Sequence, residues 1–322
     1  MRKILLLGAL ASVFYGTLPS QAQTYPSKPI RLIVPFAAGG SSDVMARVLG
    51  KQLAEQMGAQ VVIENRPGGG GGPAMESVVK SPADGHTLLY GTIGTNSVAP
   101  VLFKNLPIDP NRDLLPVSLL ALNPSVLIVH AGLPIQSLPD LIAYAKANPG
   151  RLSYASAGNG SISHLATELL KTTAQIDMLH IPYKGGGAAS ADLLAGNVSL
   201  MIETITNAQS LVKTGKVRAI ANSGSRRWPT ALELPTFAEA GVPGYEVDSW
   251  TGLFVAAGTP KAIVDRLNSE VVKAGLDPGY RSAMTKLGVE ATSSTPEAFA
   301  SFVRAEMAKW ARVLQLTGTK VD

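Results

Sequence analysis

Two short stretches concentrate the residues whose types and spacing could do chemistry. They are Pro35-Phe36-Ala37-Ala38-Gly39-Gly40-Ser41-Ser42-Asp43 and, much later, Ser156-Ala157-Gly158-Asn159-Gly160-Ser161. Each is a glycine turn rich in small polar residues, and the chemistry it suits is anion capture. Amides in the first turn of a helix have no intrahelical acceptor, and the helix dipole adds positive potential there, so an anion is held without a charged side chain. Many α/β proteins use a strand–Gly–helix turn purely for packing, so one such turn leaves the two readings even. A second, matched turn in the other half of the chain suggests a clamp.

Catalytic patterns are missing. The chain has no Gly-x-Ser-x-Gly elbow, no Walker pattern and no Gly-x-Gly-x-x-Gly fingerprint. His86, His130, His164 and His180 lack metal-ligand spacing, and acidic clusters are absent. There is no cysteine, which excludes disulfides, thiol catalysis and a lipid-modified N-terminal cysteine. An enzyme would need a constellation that these patterns do not reveal; no catalytic residue, metal or cofactor is expected.

The elements that must position the two turns follow from periodicity. Ile30 to Val34 is a short apolar strand, and Val44, Met45, Val48, Leu49 and Leu53 form one face of the helix after it, capped by Ser41 or Ser42. Val61 to Glu64 predicts a strand, the glycine run 68–72 a close-approach loop in preference to a linker, and Pro73 a helix start through Lys80. Thr87 to Tyr90 predicts a strand whose exit loop, Gly91 to Ser97, lies where open α/β sheets bind ligands. Apolar runs at 116–122 and 125–129 are broken by Asn123-Pro124, where the chain is expected to cross into a second domain. Ser137 caps a helix ending near Asn148, Leu152 to Ala155 is a strand leading into the second turn, and a helix follows from Ile162 to Thr173. Strands at 178–181, 198–202 and 217–221 complete a second sheet, and a return crossing falls near Tyr245 to Trp250. Gly252 to Ala257 rejoins the first domain, Thr259-Pro260 and Thr295-Pro296 start later helices as a cap followed by proline, and Phe299, Phe302, Val303, Trp310 and Val313 form a packing face. A first domain interrupted by a second, joined by two crossings, is a hinge.

Residues 1–22 read as a cleaved signal peptide, with basic Arg2-Lys3, an apolar run to Leu18 and small residues at Ser20 and Ala22. Export to the periplasm follows. The formal charge of +5 falls by two with the leader and shows no Lys/Arg cluster beyond Arg226-Arg227, which argues against nucleic acid. Roughly 300 mature residues imply two domains.

Taken in order, the segments resemble one family. Tyr25-Pro26-Ser27-Lys28-Pro29-Ile30, the first glycine turn, Glu64-Asn65-Arg66-Pro67-Gly68, Ala83-Asp84-Gly85-His86-Thr87-Leu88, Gly158-Asn159-Gly160-Ser161-Ile162-Ser163-His164-Leu165, Pro182-Tyr183-Lys184-Gly185-Gly186 and Ala257-Gly258-Thr259-Pro260 are similar to the substrate-binding proteins of tripartite tricarboxylate transporters, the Bug-type extracytoplasmic receptors. Each motif is weak alone; the ordered set spans the mature chain.

The resemblance implies an α/β, two-lobed periplasmic-binding-protein (type II, Venus-flytrap) fold, each lobe a small mixed sheet flanked by helices. The boundaries expected are residues 25–123 with 248–322 for lobe 1 and 124–247 for lobe 2. It also implies closure on a small carboxylate, delivery to membrane transporter subunits, and a monomer. By analogy Phe36, Ala38, Gly39, Gly40 and Ser41 grip one carboxylate together with Ser156, Ala157, Gly158, Asn159, Gly160 and Ser161. The distal end of the ligand would meet Thr95, Asn96, Ser97, Tyr183, Lys184, Gly185 and Glu203. Two departures stand out: the dense Gly71-Gly72-Pro73, and Ile202-Glu203 where an aromatic followed by Asp is common. Glu203 fits a partner for a ligand ammonium or hydroxyl, a protonated acid, or a structural cap. His164 fits a clamp donor or helix packing, Lys184 a ligand cation or a solvated one, Trp250 a cleft wall or, better, core. A sensory receptor would share this fold and cleft. Citrate-like acids, aliphatic dicarboxylates, acidic amino acids and aromatic acids such as terephthalate or nicotinate all suit such a site.

Overall fold

The computed structural model describes residues 25–319 apart from 104, 105 and 107; the segment 1–22, read as a signal peptide, lies outside the described residues. In chain order the first half runs β1 (Ile30–Val34), α1 (Ser41–Met57), β2 (Val61–Asn65), α2 (Gly72–Val79), β3 (Thr87–Thr92), α3 (Ala99–Leu102), α4 (Pro110–Asp113), β4 (Leu114–His130), α5 (Leu138–Ala147), β5 (Ser153–Ser156) and α6 (Ile162–Ala174). The rest is β6 (Leu179–Pro182), α7 (Gly186–Ala195), β7 (Leu200–Thr204), α8 (Ile205–Val212), β8 (Val217–Asn222), β9 (Asp248–Ala256), α9 (Lys261–Leu276), α10 (Pro278–Lys286), β10 (Glu290–Ala291) and α11 (Pro296–Thr317).

The strands order as β2-β1-β3-β9-β4-β7-β5-β6, with β8 and β10 also pairing β4. β1 is parallel to β2 and β3, whereas β9 is antiparallel to both β3 and β4. β4 therefore runs the same way as β1–β3 and continues past their carboxyl ends. Its register with β9 ends at Pro124 opposite Asp248, and its register with β7 begins at Ser125 opposite Thr204. β5 is parallel to both β6 and β7. The carboxyl ends of β1–β3 on one side and of β5–β7 on the other thus face each other across the place where β4 changes partners.

That strand corrects one expectation. Asn123-Pro124 does not break the apolar run; β4 is a single strand of 17 residues. Proline removes one ladder donor, and Pro124 stands at the very end of the β9 register, where the ladder is changing hands. Two caps also differ. α1 starts from Gly40 in extended backbone with no side-chain cap, so neither Ser41 nor Ser42 caps it, and Thr259 donates to Ala256 O instead of capping α9. Ser137 and Thr295 do cap α5 and α11, accepting from Asp140 N and Ala298 N. Phe299, Val303, Trp310 and Val313 are buried, and Trp250 packs edge-on against Phe299 and Phe302, which puts it in the core.

Candidate functional site

The first turn leaves β1 at Val34 and is shaped by a side chain four residues downstream of its glycine. Gly39 takes a left-handed φ of +83° and donates its amide to Asp43 Oδ2 at 2.9 Å. Asn65 Nδ2, at the end of β2, donates to Asp43 Oδ1 at 2.9 Å and to Phe36 O at 3.0 Å, and Arg47 Nε reaches Asp43 Oδ2 at 2.9 Å. Burial pushes the Asp43 carboxyl up, but the bonds from Arg47, Gly39 and Asn65 outweigh it and hold the group below the usual carboxylate range. The Gly39 amide is thus spent inside the turn, and the open donors are the first-turn amides from Ser41 onward. Ala38, Gly40 and Phe36 are exposed around them, Phe36 at 41%.

At the carboxyl end of β3 the chain makes a π-type turn, Gly94–Val98, of the kind often found at functional sites. Thr95, Asn96 and Ser97 are all buried in it. Thr95 Oγ1 accepts from Thr92 N at 3.0 Å and donates to Asn96 Oδ1 at 2.7 Å. Asn96 Nδ2 and Ser97 Oγ have no partner among the described residues. The glycine run leans on this turn: a Cβ on Gly71 would stand 2.4 Å from Thr95 Cγ2, so the run is a close-approach loop.

The second turn follows β5 and is knit by its own side chains. Ser161 Oγ donates to Gly158 O at 2.7 Å, Ser163 Oγ accepts from Ala157 N at 3.0 Å, and Ser156 Oγ accepts from Gly158 N at 3.2 Å. Gly160 N donates to His164 Nδ1 at 3.0 Å. Ser161 is also the N-cap of α6, accepting from His164 N. Asn159 is exposed at the tip. His164 faces the turn as an acceptor at Nδ1.

The remaining residues named from the sequence gather at the ends of β6 and β7. Tyr183 N donates to Ser156 O at 3.0 Å, while the Tyr183 hydroxyl is tied to Asp192 at 2.6 Å. A Cβ on Gly158 would stand 3.1 Å from Tyr183 O, so the second turn rests on this loop. Gly185, at φ +118°, is the N-cap of α7, and Lys184 is exposed without an ion pair among the described residues. Glu203 Oε1 accepts from Thr204 N at 2.7 Å and Thr204 Oγ1 at 3.1 Å, and its Oε2 lies beside Gly186. Burial pushes the Glu203 carboxyl above its usual range, against opposing bonds from Thr204 and Asn207.

The structure therefore gathers these residues into two groups on opposing sheet edges. No hydrogen bond among the described residues links the first turn to the second. Concavities of about 260 and 250 Å³ lie elsewhere, beside Phe103 and Met307 and between Ile142 and Val242, and border neither turn. No cluster of three metal-ligating side chains, and no helix long and apolar enough to cross a membrane, occurs among the described residues. Asp43, Asn65 and His180 went unselected in the sequence. Asp43 lies in the first turn of α1 and Asn65 at the end of β2, and only the fold brings them together.

Comparison with known proteins follows the same lines. The model of the tripartite tricarboxylate transporter family receptors matches residues 45–319. Protein BugT of Bordetella pertussis is 38% identical over 324 residues, covering 97% of this chain and 98% of its own. Among solved structures, R. palustris Rpa4515 with adipate superposes with a TM-score of 0.87 at 36% identity, covering 92% of this chain and 99% of that one. The periplasmic binding protein BugD gives 0.83 at 35%, covering 92% and 99%. The fold implied by the resemblance is the fold these structures share.

Proposed function

This chain belongs to the tripartite tricarboxylate transporter receptor family, a family of binding proteins and not of enzymes, and we propose that it captures a small organic carboxylate in the periplasm and hands it to membrane transporter subunits. One observation carries the proposal: the carboxyl ends of β1–β3 and of β5–β7, each with its glycine turn opening a helix, face each other across the partner change in β4. In this reading lobe 1 comprises residues 25–123 and 248–322, lobe 2 comprises 124–247, and the crossing strands act as the hinge. The leader is removed after Ala22, and the receptor works as a monomer.

The first turn supplies amides from Ser41 onward, framed by Phe36, Ala38, Gly39 and Gly40, and the second turn supplies its rim from Ser156 to Ser161. Neutral donors hold a carboxylate through charge-assisted hydrogen bonds, each worth roughly 1.5–3 kcal/mol. Thr95, Asn96 and Ser97 meet the far end of the ligand from one lobe, Tyr183, Lys184, Gly185 and Glu203 from the other. The adipate named with the R. palustris structure supports a linear dicarboxylate as the first probe.

The test is a thermal-shift screen of carboxylates against their methyl esters. A ligand at a hundredfold excess over Kd stabilises the protein by about 2.7 kcal/mol. A narrow set of acids raises Tm, their esters do not, small-angle scattering shows compaction, and mass spectrometry recovers the ligand unchanged. Equal stabilisation by the esters, or turnover of the acid, overturns the reading.

A further inference from the structure

Beneath the second turn lies a stack of three parallel rings that capture of a carboxylate does not by itself require. His164 on α6 and His180 on β6 lie face to face, ring centres 4.1 Å apart and planes within 7°. Tyr154 on β5 lies 4.7 Å from His180 at 10° and 6.5 Å from His164 at 14°. Both imidazoles reach the turn. His164 Nδ1 accepts from Gly160 N at 3.0 Å, and His180 Nε2 is 2.6 Å from Ser156 Oγ. Ser156 Oγ in turn takes the Gly158 amide. The two rings therefore anchor both ends of Ser156–Gly160.

We propose that His164 and His180 are positioning residues for the second glycine turn, and that the turn keeps its binding shape only while Nδ1 of His164 is unprotonated, whereas His180 holds Ser156 Oγ in either protonation state. The proposal rests on the reading of that turn as half of a carboxylate site. A backbone amide can only donate, so the Gly160 bond requires an unprotonated Nδ1 on His164. A proton there sets N–H against N–H and expels the Gly160 amide. A proton on each ring sets two cations 4.1 Å apart, which is disfavoured.

The charged groups facing the stack are Glu168 and Lys171, both on α6 and paired at 2.9 Å. The Tyr154 hydroxyl on β5 donates to the same Glu168 at 2.5 Å, and Lys171 Nζ lies 5.7 Å from the Tyr154 ring centre. β6 contributes His180 itself. Glu168 favours a cation on the rings and Lys171 opposes it, so the pair largely offsets itself. Burial dominates and lowers both histidines, His180 from 6.5 to about 4. The turn is accordingly intact at neutral pH and is loosened by acid.

Asparagine and glutamine separate the two roles. Asn places an oxygen near the position of Nδ1 and Gln near that of Nε2, and neither titrates in this range. With the full mature chain and adipate as probe, His164→Asn should bind within a few-fold of wild type at pH 7.5, while His164→Ala should bind about tenfold more weakly, the worth of one hydrogen bond near 1.4 kcal/mol. As pH falls from 7.5 to 4, wild type should lose affinity over and above His164→Asn, whose profile keeps the titrations of adipate, Glu203 and His180 but lacks that of His164. His180→Phe keeps the stack and loses the Ser156 bond, so it should weaken binding about tenfold, with His180→Gln restoring it. A His164→Asn profile that tracks wild type overturns the proposal.

A ligand-free measurement keeps the test independent of what the site binds. In ¹⁵N-correlated spectra the Gly160 amide shift should follow His164 protonation in wild type and stay flat in His164→Asn. A Gly160 amide indifferent to that protonation also overturns the proposal. If the amide responds and no carboxylate binds at any pH, the positioning role stands and the carboxylate reading fails.

Discussion

Gly39 donates its backbone amide to the carboxylate of Asp43 at 2.9 Å, and the first glycine turn is built around that bond. Asp43 is 3% exposed and also holds Asn65 and Arg47, so it ties the end of β2 to the start of α1. Asp43→Ala strips the turn of its centre and leaves the Gly39 amide and the Asn65 side chain without their acceptor. We expect a loss of about 2–4 kcal/mol in urea unfolding, with weaker adipate binding. Asp43→Asn, which keeps acceptor oxygen but not charge, should fall between. The depressed carboxyl also sets a pH window. Its stabilisation is present above the unfolded value of about 3.9 and is lost as pH falls through the lower folded value, so wild type and Asp43→Asn should converge in strong acid.

Gly71 is fixed by what it touches. It has φ +88°, and any Cβ would press 2.4 Å from Thr95 Cγ2. Gly71→Ala combines backbone strain with a clash on the π-type turn, and should cost about 1–3 kcal/mol. Thr95→Ser removes the offending methyl, so the double variant should regain part of that loss while the strain remains. Additive effects in the double-mutant cycle would count against the contact.

Much of the scaffold could be read in advance, because strand–Gly–helix alternation and the Ser137 and Thr295 caps are local signals. What escaped was tertiary. Whether Gly39 and Gly160 offer their amides outward depends on Asp43 and His164, each four residues ahead and turned back onto the turn. Asn65 reaches Asp43 only because β2 lies beside β1. Asn123-Pro124 carries a breaker's signature, yet the strand persists because its partner changes from β9 to β7 at that point. α8 and α10 went unpredicted; α10 is announced only by Asp277-Pro278, whose aspartate caps it through Tyr280 N.

Ser223 ties the two crossings together. Its buried Oγ accepts from Ser125 N at 3.0 Å and donates to Val247 O at 2.6 Å, next to the point where β4 changes partners. Ser223→Ala leaves an amide and a carbonyl unpaired in the interior. We expect a cost of about 1–3 kcal/mol. Stability unchanged within 0.5 kcal/mol, roughly the scatter of neutral surface changes, would show that water or backbone shift replaces the bond.

Glu203 gives the opposite pH signature to Asp43. Its carboxyl accepts two bonds from Thr204, faces the N-terminus of α7 and has no ion pair among the described residues. Burial outweighs those bonds and raises its pKa, so folding favours the protonated form. A raised carboxyl contributes stability that is fully present below the unfolded value, about 4.3, and is lost as pH rises through the folded one. Above the folded value the wild-type protein therefore carries a carboxylate that folding disfavours, and below it the folded form holds a proton that the unfolded chain has already released. Glu203→Gln retains an oxygen for Thr204 N and cannot ionise, so it should melt higher than wild type at pH 7–8. The advantage should shrink on acidification and vanish below about pH 4, where both side chains are neutral. The same variant reports on the ligand. A dicarboxylate such as adipate, which places a second anion near Glu203 in the proposed site, should bind Glu203→Gln more tightly at any pH where Glu203 is ionised, because charge repulsion is removed. A ligand carrying an ammonium there should bind it more weakly. Calorimetry with adipate and with an amino dicarboxylate of the same length decides between the two, and equal affinities in variant and wild type for both compounds would remove Glu203 from the site.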